Sequence, residues 1–259
     1  KMQRFNYHSH TKRCGHASGE DEEYVKQAIK NGYTCIGFSD HAPYENGYVE
    51  GERMRKDEFN DYVQSVHFLQ EKYKDQIEIR LGLEIEYFED FLDEIKEYRN
   101  LVDFMILGEH EYAVKQIDFY MNHKDEDTLL YGEQVAKACD DGLVDIVAHP
   151  DLFMFSKEEW NEACEKTAHK ICQSAERNHA LLELNLNGLR YGKRQIGDEY
   201  RYTYPYRKFW EVVSQYDIEV VYGLDAHTPD KYADFACYET VNEIIEGIPL
   251  KFRKELKFK

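Results

Sequence analysis

The chain has 259 residues, 42% of them hydrophobic and 32% charged, which is enough apolar material for a sizeable core and excludes an intrinsically disordered chain. Against 33 Lys and Arg stand 51 Asp and Glu, a net charge of −18 that disfavours nucleic-acid partners, which need clustered cations. No apolar run approaches the roughly 18 residues of a membrane span, so no membrane partner is expected. The N-terminus lacks an apolar leader, and a cytoplasmic protein is expected.

In chain order, strand-like apolar runs fall at residues 4–7, 35–39, 78–85, 104–107, 145–148, 181–187 and 219–223, with helix-like segments between them. The helix over 20–30 stops at Asn31-Gly32 and the one over 129–140 at Asp141-Gly142. Ser156 to Glu159 reads as a capping box ahead of a helix running to about Asn178, and Thr228-Pro229 as a further helix start. The basic tail 251–259 (KFRKELKFK) reads as a solvated end. Seven alternations of strand and helix predict a parallel sheet with helical crossovers, and in a chain of this length a closed barrel suits them better than an open sheet. No glycine-rich phosphate loop follows the first run, and no linker or repeat divides residues 1–259, which read as one domain.

Six cysteines without a C-x-x-C pair form neither a disulfide framework nor a zinc finger and fit a reducing compartment. Cys35 and Cys139 lie in apolar patterns and read as core, whereas Cys14 lies between histidines.

The chemistry is concentrated where the strands end. Successive runs finish in Tyr7-His8-Ser9-His10, Ser39-Asp40-His41, Gly82-Leu83-Glu84, Gly108-Glu109-His110, Ala148-His149-Pro150, Asn185 with Asn187, and Leu224-Asp225-Ala226-His227. A barrel gathers the C-terminal ends of its strands on one face. One histidine at a strand end is ordinarily structural, but seven of the eleven at or just past strand ends is improbable by chance. His67, His123, His169 and His179 fall in helices or loops and read as bystanders. In an extended strand His8 and His10 point the same way and can reach one ion. Imidazoles and carboxylates without thiolates suit zinc, manganese or iron, and this many ligands suit two or three divalent ions. Bound cations would also supply the local positive charge that phosphate chemistry needs in so acidic a chain.

The set His8-x-His10, His16, Ser39-Asp40-His41, Glu84, His110, His149-Pro150 and Asp225-x-His227 resembles the PHP (polymerase and histidinol phosphatase) family. The opening Tyr7-His-Ser-His-Thr-Lys-Arg-Cys-Gly-His16 and the later Asn185-Leu-Asn-Gly-Leu-Arg190 are similar to its histidinol-phosphate phosphatase branch. The resemblance implies an α/β fold, a distorted seven-stranded (β/α) barrel with a trinuclear metal site at the C-terminal ends of the strands. His8, His10, Glu84 and Asp225 would hold one ion. Glu84 would bridge to a second ion held with His110 and His149, and His16, His41 and His227 would hold a third. It further implies hydrolysis of L-histidinol phosphate in histidine biosynthesis by attack of a metal-bridging hydroxide. The alternative is another small phosphomonoester, a nucleotide or a phosphotyrosyl protein. A non-catalytic scaffold predicts missing ligands, and none is missing.

Arg190 is the candidate phosphate clamp, because a guanidinium grips phosphate with paired donors. Asp225 is assigned a second role as proton relay to the leaving oxygen. Glu109 departs from the family pattern, in which small or apolar residues are common before the histidine, and reads as a contact for a cationic group or as a solvated side chain. The tyrosine-rich stretch 200–206 reads as a loop packed on the rim.

Overall fold

The computed structural model describes residues 2–255, so the last four residues of the basic tail lie outside the described residues. The elements run β1 (Phe5–Asn6), α1 (Asp21–Lys30), β2 (Cys35–His41), α2 (Phe59–Lys72), β3 (Glu78–Ile85), α3 (Leu92–Leu101) and β4 (Phe104–Leu107). A small hairpin follows, β5 (Glu111–Tyr112) with β6 (Ile117–Asp118), then α4 (Asp125–Asp140), β7 (Ile146–Val147), α5 (Glu162–Asn178) and β8 (Leu181–Asn185). A second hairpin, β9 (Arg194–Ile196) with β10 (Glu199–Arg201), precedes α6 (Arg207–Val213), β11 (Glu219–Gly223), α7 (Ala236–Ile244) and β12 (Lys251–Phe252). Among the described residues no helix is long and apolar enough to cross a membrane.

The main sheet is parallel, in the order β1-β2-β3-β4-β7-β8-β11-β12. It has eight strands and not the expected seven. The eighth comes from the start of the basic tail, where Lys251 and Phe252 pair with Glu219 and Val220 and the Phe252 ring stacks on Tyr222. Two residues of strand show no period that a sequence reading can register. The rest of that edge of β11 faces the first strand. The Gln3 side-chain amide bonds both the N–H and the carbonyl of Tyr222, and Asn6 Oδ1 accepts the N–H of Leu224. Beyond it Ser9 bridges Ala226 in parallel register, with His10 N–H donating to the Ala226 carbonyl and Ala226 N–H to that of His8. The sheet therefore curls until its first and seventh strands meet, and the backbone seam forms at their C-terminal ends.

The inward face of each strand is layered. Phe5, Cys35, Phe104, Ile146, Leu181 and Val221 form an apolar plug at the N-terminal end of the interior. Above it lie Gly37 and Gly82, where a Cβ would meet the Phe104 ring at 2.7 and 2.4 Å, so the plug needs glycine there. The next inward positions on the same strands are His41, Glu84, Glu183, Asn185 and Asp225 (period 2). Because all these strands run the same way, their polar ends share one face of the sheet. The outward side chains, among them Ile36, Phe38, Leu83, Met105, Val147, Leu182 and Leu184, pack in the larger core against the helices.

Helices α1 and α4 end at the expected glycines, Gly32 and Gly142, both with positive φ. The expected capping box at Ser156 is not the start of α5. That helix begins at Glu162, capped by Asn161 Oδ1 accepting from Cys164 N–H, while Ser156 Oγ donates to the Tyr120 carbonyl. Thr228-Pro229 opens only a five-residue 3-10 turn. All six cysteines are free and buried.

Candidate metal centre

The loop ends above β1, β2, β3, β4, β7 and β11 bring the nine candidate ligands into one cluster. Glu84 and Asp225 sit at its middle. His8 Nε2 lies 2.5 Å from Glu84 Oε1 and 3.1 Å from Asp225 Oδ1, and His10 Nε2 lies 2.9 Å from Asp225 Oδ1 and 3.3 Å from Glu84 Oε1. The second oxygen of Glu84 faces His110 Nε2 at 3.4 Å and His41 Nδ1 at 3.6 Å. The His227 ring stacks on His10 with centroids 4.1 Å apart, His16 lies 4.8 Å from His227 and 5.0 Å from His41, and His149 lies 4.8 Å from His110. Three sets among them, His8/His10/Glu84/Asp225, His41/Glu84/His110 and His10/His41/His227, have donor atoms close enough to share an ion. The first is the ligand set expected for one ion. The other two cut across the expected grouping, because His41 sits between Glu84 and His10.

Several imidazoles are held from behind. His8 Nδ1 meets Glu183 Oε2 at 2.6 Å, His10 Nδ1 meets Asp40 Oδ1 at 3.1 Å and His110 Nδ1 meets Glu86 Oε1 at 2.5 Å, while His227 Nδ1 meets the Asp225 carbonyl at 2.9 Å. Each pairing orients the ring and turns Nε2 inward, the arrangement in which an outer carboxylate fixes a metal-binding histidine. Glu183 and Glu86 were not among the residues singled out from the sequence, and Asp40 entered only within the Ser39-Asp40-His41 motif, with no role assigned to it. Their signal was a carboxylate in an otherwise apolar strand or beside a predicted ligand, with nothing in the sequence to pair it to a ring.

The electrostatics follow from burying so many titratable groups together. Burial alone would depress His8, but Asp225, Glu183 and Glu84 outweigh it and raise it to about 10. Burial likewise opposes a rise at His110, where Glu86 and Glu84 prevail and bring it to about 9. His149 and His227 are pushed down to about 3, by burial first and then by neighbouring imidazoles. Burial would raise Glu84 and Asp225, yet the surrounding histidines hold both well below the usual carboxylate range.

Two observations bear on whether these residues fit metal ions. Both ring nitrogens of His149 and Glu84 Oε2 are buried without a hydrogen-bond partner, a costly arrangement unless something else coordinates them. His149 and Asp225 also have positive φ, 29° and 48°, a strained backbone retained at two clustered candidate ligands. With a donor set of imidazole and carboxylate, the site fits divalent ions such as zinc, manganese or iron.

A cavity of about 270 Å³ opens above the cluster, lined by His16, His41, Glu84, His110, Asp225 and His227 on its floor and by Arg190, Tyr120, Tyr204 and Asn187 on its wall. Arg190 lies over the Tyr191 ring and donates to its hydroxyl; among the described residues no carboxylate forms an ion pair with it, Asp225 acting on it only from a distance. Tyr204 is fully buried beside His149, so one member of the tyrosine-rich stretch is cavity wall, whereas Tyr200 is exposed. Glu109 is neither solvated nor on the cavity wall. It is 1% exposed, accepts from Tyr87 N–H, and burial with Glu86 beside it pushes its carboxyl well up.

Gly108 leaves room for the central carboxylate, since a Cβ there would stand 1.9 Å from Glu84 Oε2 and 2.8 Å from the His110 ring. Glu84 could give way only by leaving His8 and His10, so Gly108→Ala is expected to destabilise the fold by about 1–3 kcal/mol and to lower ion uptake. Thermal unfolding and metal analysis check both effects, and a fully loaded variant of unchanged stability contradicts them.

A family model described as PHP domain matches residues 6–187. A Deinococcus radiodurans protein named "Probable histidinol-phosphatase" is 25% identical over 266 residues, covering 95% of this chain and 95% of its own. The histidinol-phosphatase of Bacillus subtilis is 31% identical over 119 residues, 42% of this chain and 44% of its own. The crystal structure of the Lactococcus lactis histidinol phosphate phosphatase, complexed with zinc, L-histidinol and phosphate, is similar with a TM-score of 0.73 at 18% identity, covering 96% of this chain and 95% of that one.

Proposed function

The chain belongs to the PHP domain family, and we propose that it is a metal-dependent phosphomonoesterase that hydrolyses L-histidinol phosphate to L-histidinol and phosphate. The observation that carries the reading is His149, an imidazole buried with both nitrogens unpartnered among six other histidines and two ionised carboxylates under an open cavity. The choice of substrate is supported by the names of relatives along the whole chain and by the ligands in the Lactococcus lactis structure.

His8, His10, Glu84 and Asp225 would hold one ion, Glu84, His110 and His149 a second, and His16, His41 and His227 a third, with His41 also within reach of the second and His10 of the third. When bound, such ions lower the pKa of water and neutralise phosphate charge. The chain's own groups do the rest. Arg190 grips the non-bridging phosphate oxygens at the cavity wall, a role consistent with a guanidinium that no carboxylate occupies. As the P–O bond to the alcohol breaks and a bond from phosphorus to a water oxygen forms, the water proton must leave and the alkoxide must gain one. Asp225, a carboxylate on the cavity floor, is the acceptor we assign to the first transfer and the relay for the second. The cavity's small volume suits a small ester better than a polymer. We read residues 1–259 as one cytoplasmic PHP-type domain.

Phosphate release from L-histidinol phosphate, beside an aryl phosphate and a chelated sample, tests the reading. Selective, chelator-sensitive release is expected, and equal rates on all esters would remove the substrate assignment. In the same assay Arg190→Ala is expected to lower kcat/KM by about 10–100-fold, the effect of losing a charged hydrogen bond to phosphate.

A further inference from the structure

Glu183 stands inward on β8, 2% exposed, with the backbone of Gly223 close beside it: a Cβ at Gly223 would lie 1.9 Å from Glu183 Oε2. Its carboxylate is fully engaged, and every partner belongs to the metal centre or touches it. Oε2 meets His8 Nδ1 at 2.6 Å. Oε1 accepts the backbone N–H of His149 at 3.2 Å and the Asn185 amide at 2.8 Å, and that amide also donates to Asp225 Oδ2 at 3.1 Å. His8 and Asp225 belong to the candidate ligands of one ion, and His149 to those of another. The N–H held by Oε1 is that of a residue at φ 29°, a conformation needing an outside constraint to persist. Among the described residues, no set of donor atoms around a shared ion position includes Glu183 itself.

We propose that Glu183 is a positioning residue that couples two ion positions, one oxygen fixing the His8 ring from behind and the other fixing the His149 backbone, so that ions at the two positions are gained and lost together. The inference rests on reading the centre as a divalent-metal site. Glu86 provides the contrast. Among the described residues it backs only the His110 ring, so it serves one of the two positions.

The isosteric variant Glu183→Gln separates this coupling from simple packing. A glutamine offers one acceptor where the carboxylate offers two. If its oxygen stays with His149 N–H and Asn185, its NH2 group faces His8 Nδ1 and forces the tautomer whose Nε2 proton points at the ion position. If it flips, the NH2 group meets two other donors. The experiment is zinc titration of ion-free protein, with zinc per chain measured by elemental analysis across graded free zinc. In E183Q two ions are expected to weaken together, each by about 10–100-fold, whereas Glu86→Gln weakens one. Loss of a single ion in E183Q, or uptake equal to that of the unsubstituted protein, overturns the proposal. If E183Q fails to fold by circular dichroism, Glu183→Asp serves instead, since it keeps the charge opposite His8 but withdraws the oxygens by one methylene; the same paired loss is expected and unchanged uptake overturns. Because the readout is metal content, the outcome does not depend on which ester is cleaved, and an unsubstituted protein that takes up no zinc would instead remove the metal reading itself.

Discussion

Asp225→Asn is expected to lower kcat for L-histidinol phosphate by about 10²–10⁴-fold, the range for losing a positioned proton-transfer group, and to reduce the number of bound ions. Asp225 Oδ1 accepts from His10 Nε2 at 2.9 Å and has His8 Nε2 3.1 Å away, while Oδ2 accepts from Asn185 Nδ2 at 3.1 Å. An asparagine has one oxygen for these three donors, and its NH2 group faces another donor whichever way it turns. The substitution also removes a negative charge from between two imidazoles that the same carboxylate keeps protonated, leaving them buried with less compensation. Two losses are therefore expected together, one in turnover and one in metal content. Steady-state kinetics beside elemental analysis distinguishes them: full zinc occupancy with a large fall in kcat supports the relay, whereas unchanged kcat removes Asp225 from the chemistry. Restoring occupancy with excess zinc and finding normal turnover would leave Asp225 as a ligand alone.

The strands were legible because each is a short apolar run ending in polar residues, and the structure finds them at nearly the expected positions, with the runs at 78–85, 104–107 and 219–223 matching to the residue. The C-terminal ends of α1 and α4 were legible because a glycine with positive φ is the cheapest way to leave a helix. Ser156 misled because a capping box is a four-residue pattern that a loop also satisfies; here Ser156 bonds a loop carbonyl, and Asn161 takes the capping role. The two hairpins, β5–β6 beside the cavity and β9–β10 away from it, are too short for any period to show. At the site, the ligand types were readable from strand-end composition. The carboxylates behind them were not, because pairing Glu183 with His8 requires knowing that residues 175 apart in sequence face each other across the sheet interior. The alternation Leu181, Glu183, Asn185 against Leu182 and Leu184 did carry a trace of it, since a charged residue at an inward position of a buried strand must be compensated. Glu109 shows the reverse error. Its neighbour His110 suggested a reactive or solvated role, and only packing reveals it buried behind Glu86.

The ion-free and ion-loaded forms are expected to respond to pH in opposite senses above neutrality. Without ions, His8 at about 10 and His110 at about 9 lie above the ordinary value of 6.5. Their contribution to stability is fully present below pH 6.5 and is lost as pH rises through 9 to 10. His149 and His227, at about 3, lie below that value, so their contribution is present above pH 6.5 and lost as pH falls toward 3. The ion-free protein is thus most stable near neutrality and weakens on both sides. Ion binding needs the imidazole lone pairs that the protons of His8, His10 and His110 occupy, so at pH 7 filling the centre must expel about three protons, and the overall affinity rises about 1000-fold per pH unit while all three remain protonated. Raising the pH from 7 to 8.5 therefore lowers the Tm of the ion-free protein toward the loss of its histidine charges while strengthening zinc binding. Calorimetric zinc titration at pH 7 in two buffers of different ionisation heat counts the protons directly, and thermal unfolding across pH 5–10 with and without zinc gives the two stability curves. Uptake that releases no protons would mean that neutral imidazoles already face the ion positions, and the charge balance drawn between His8, Glu84 and Asp225 would then be wrong.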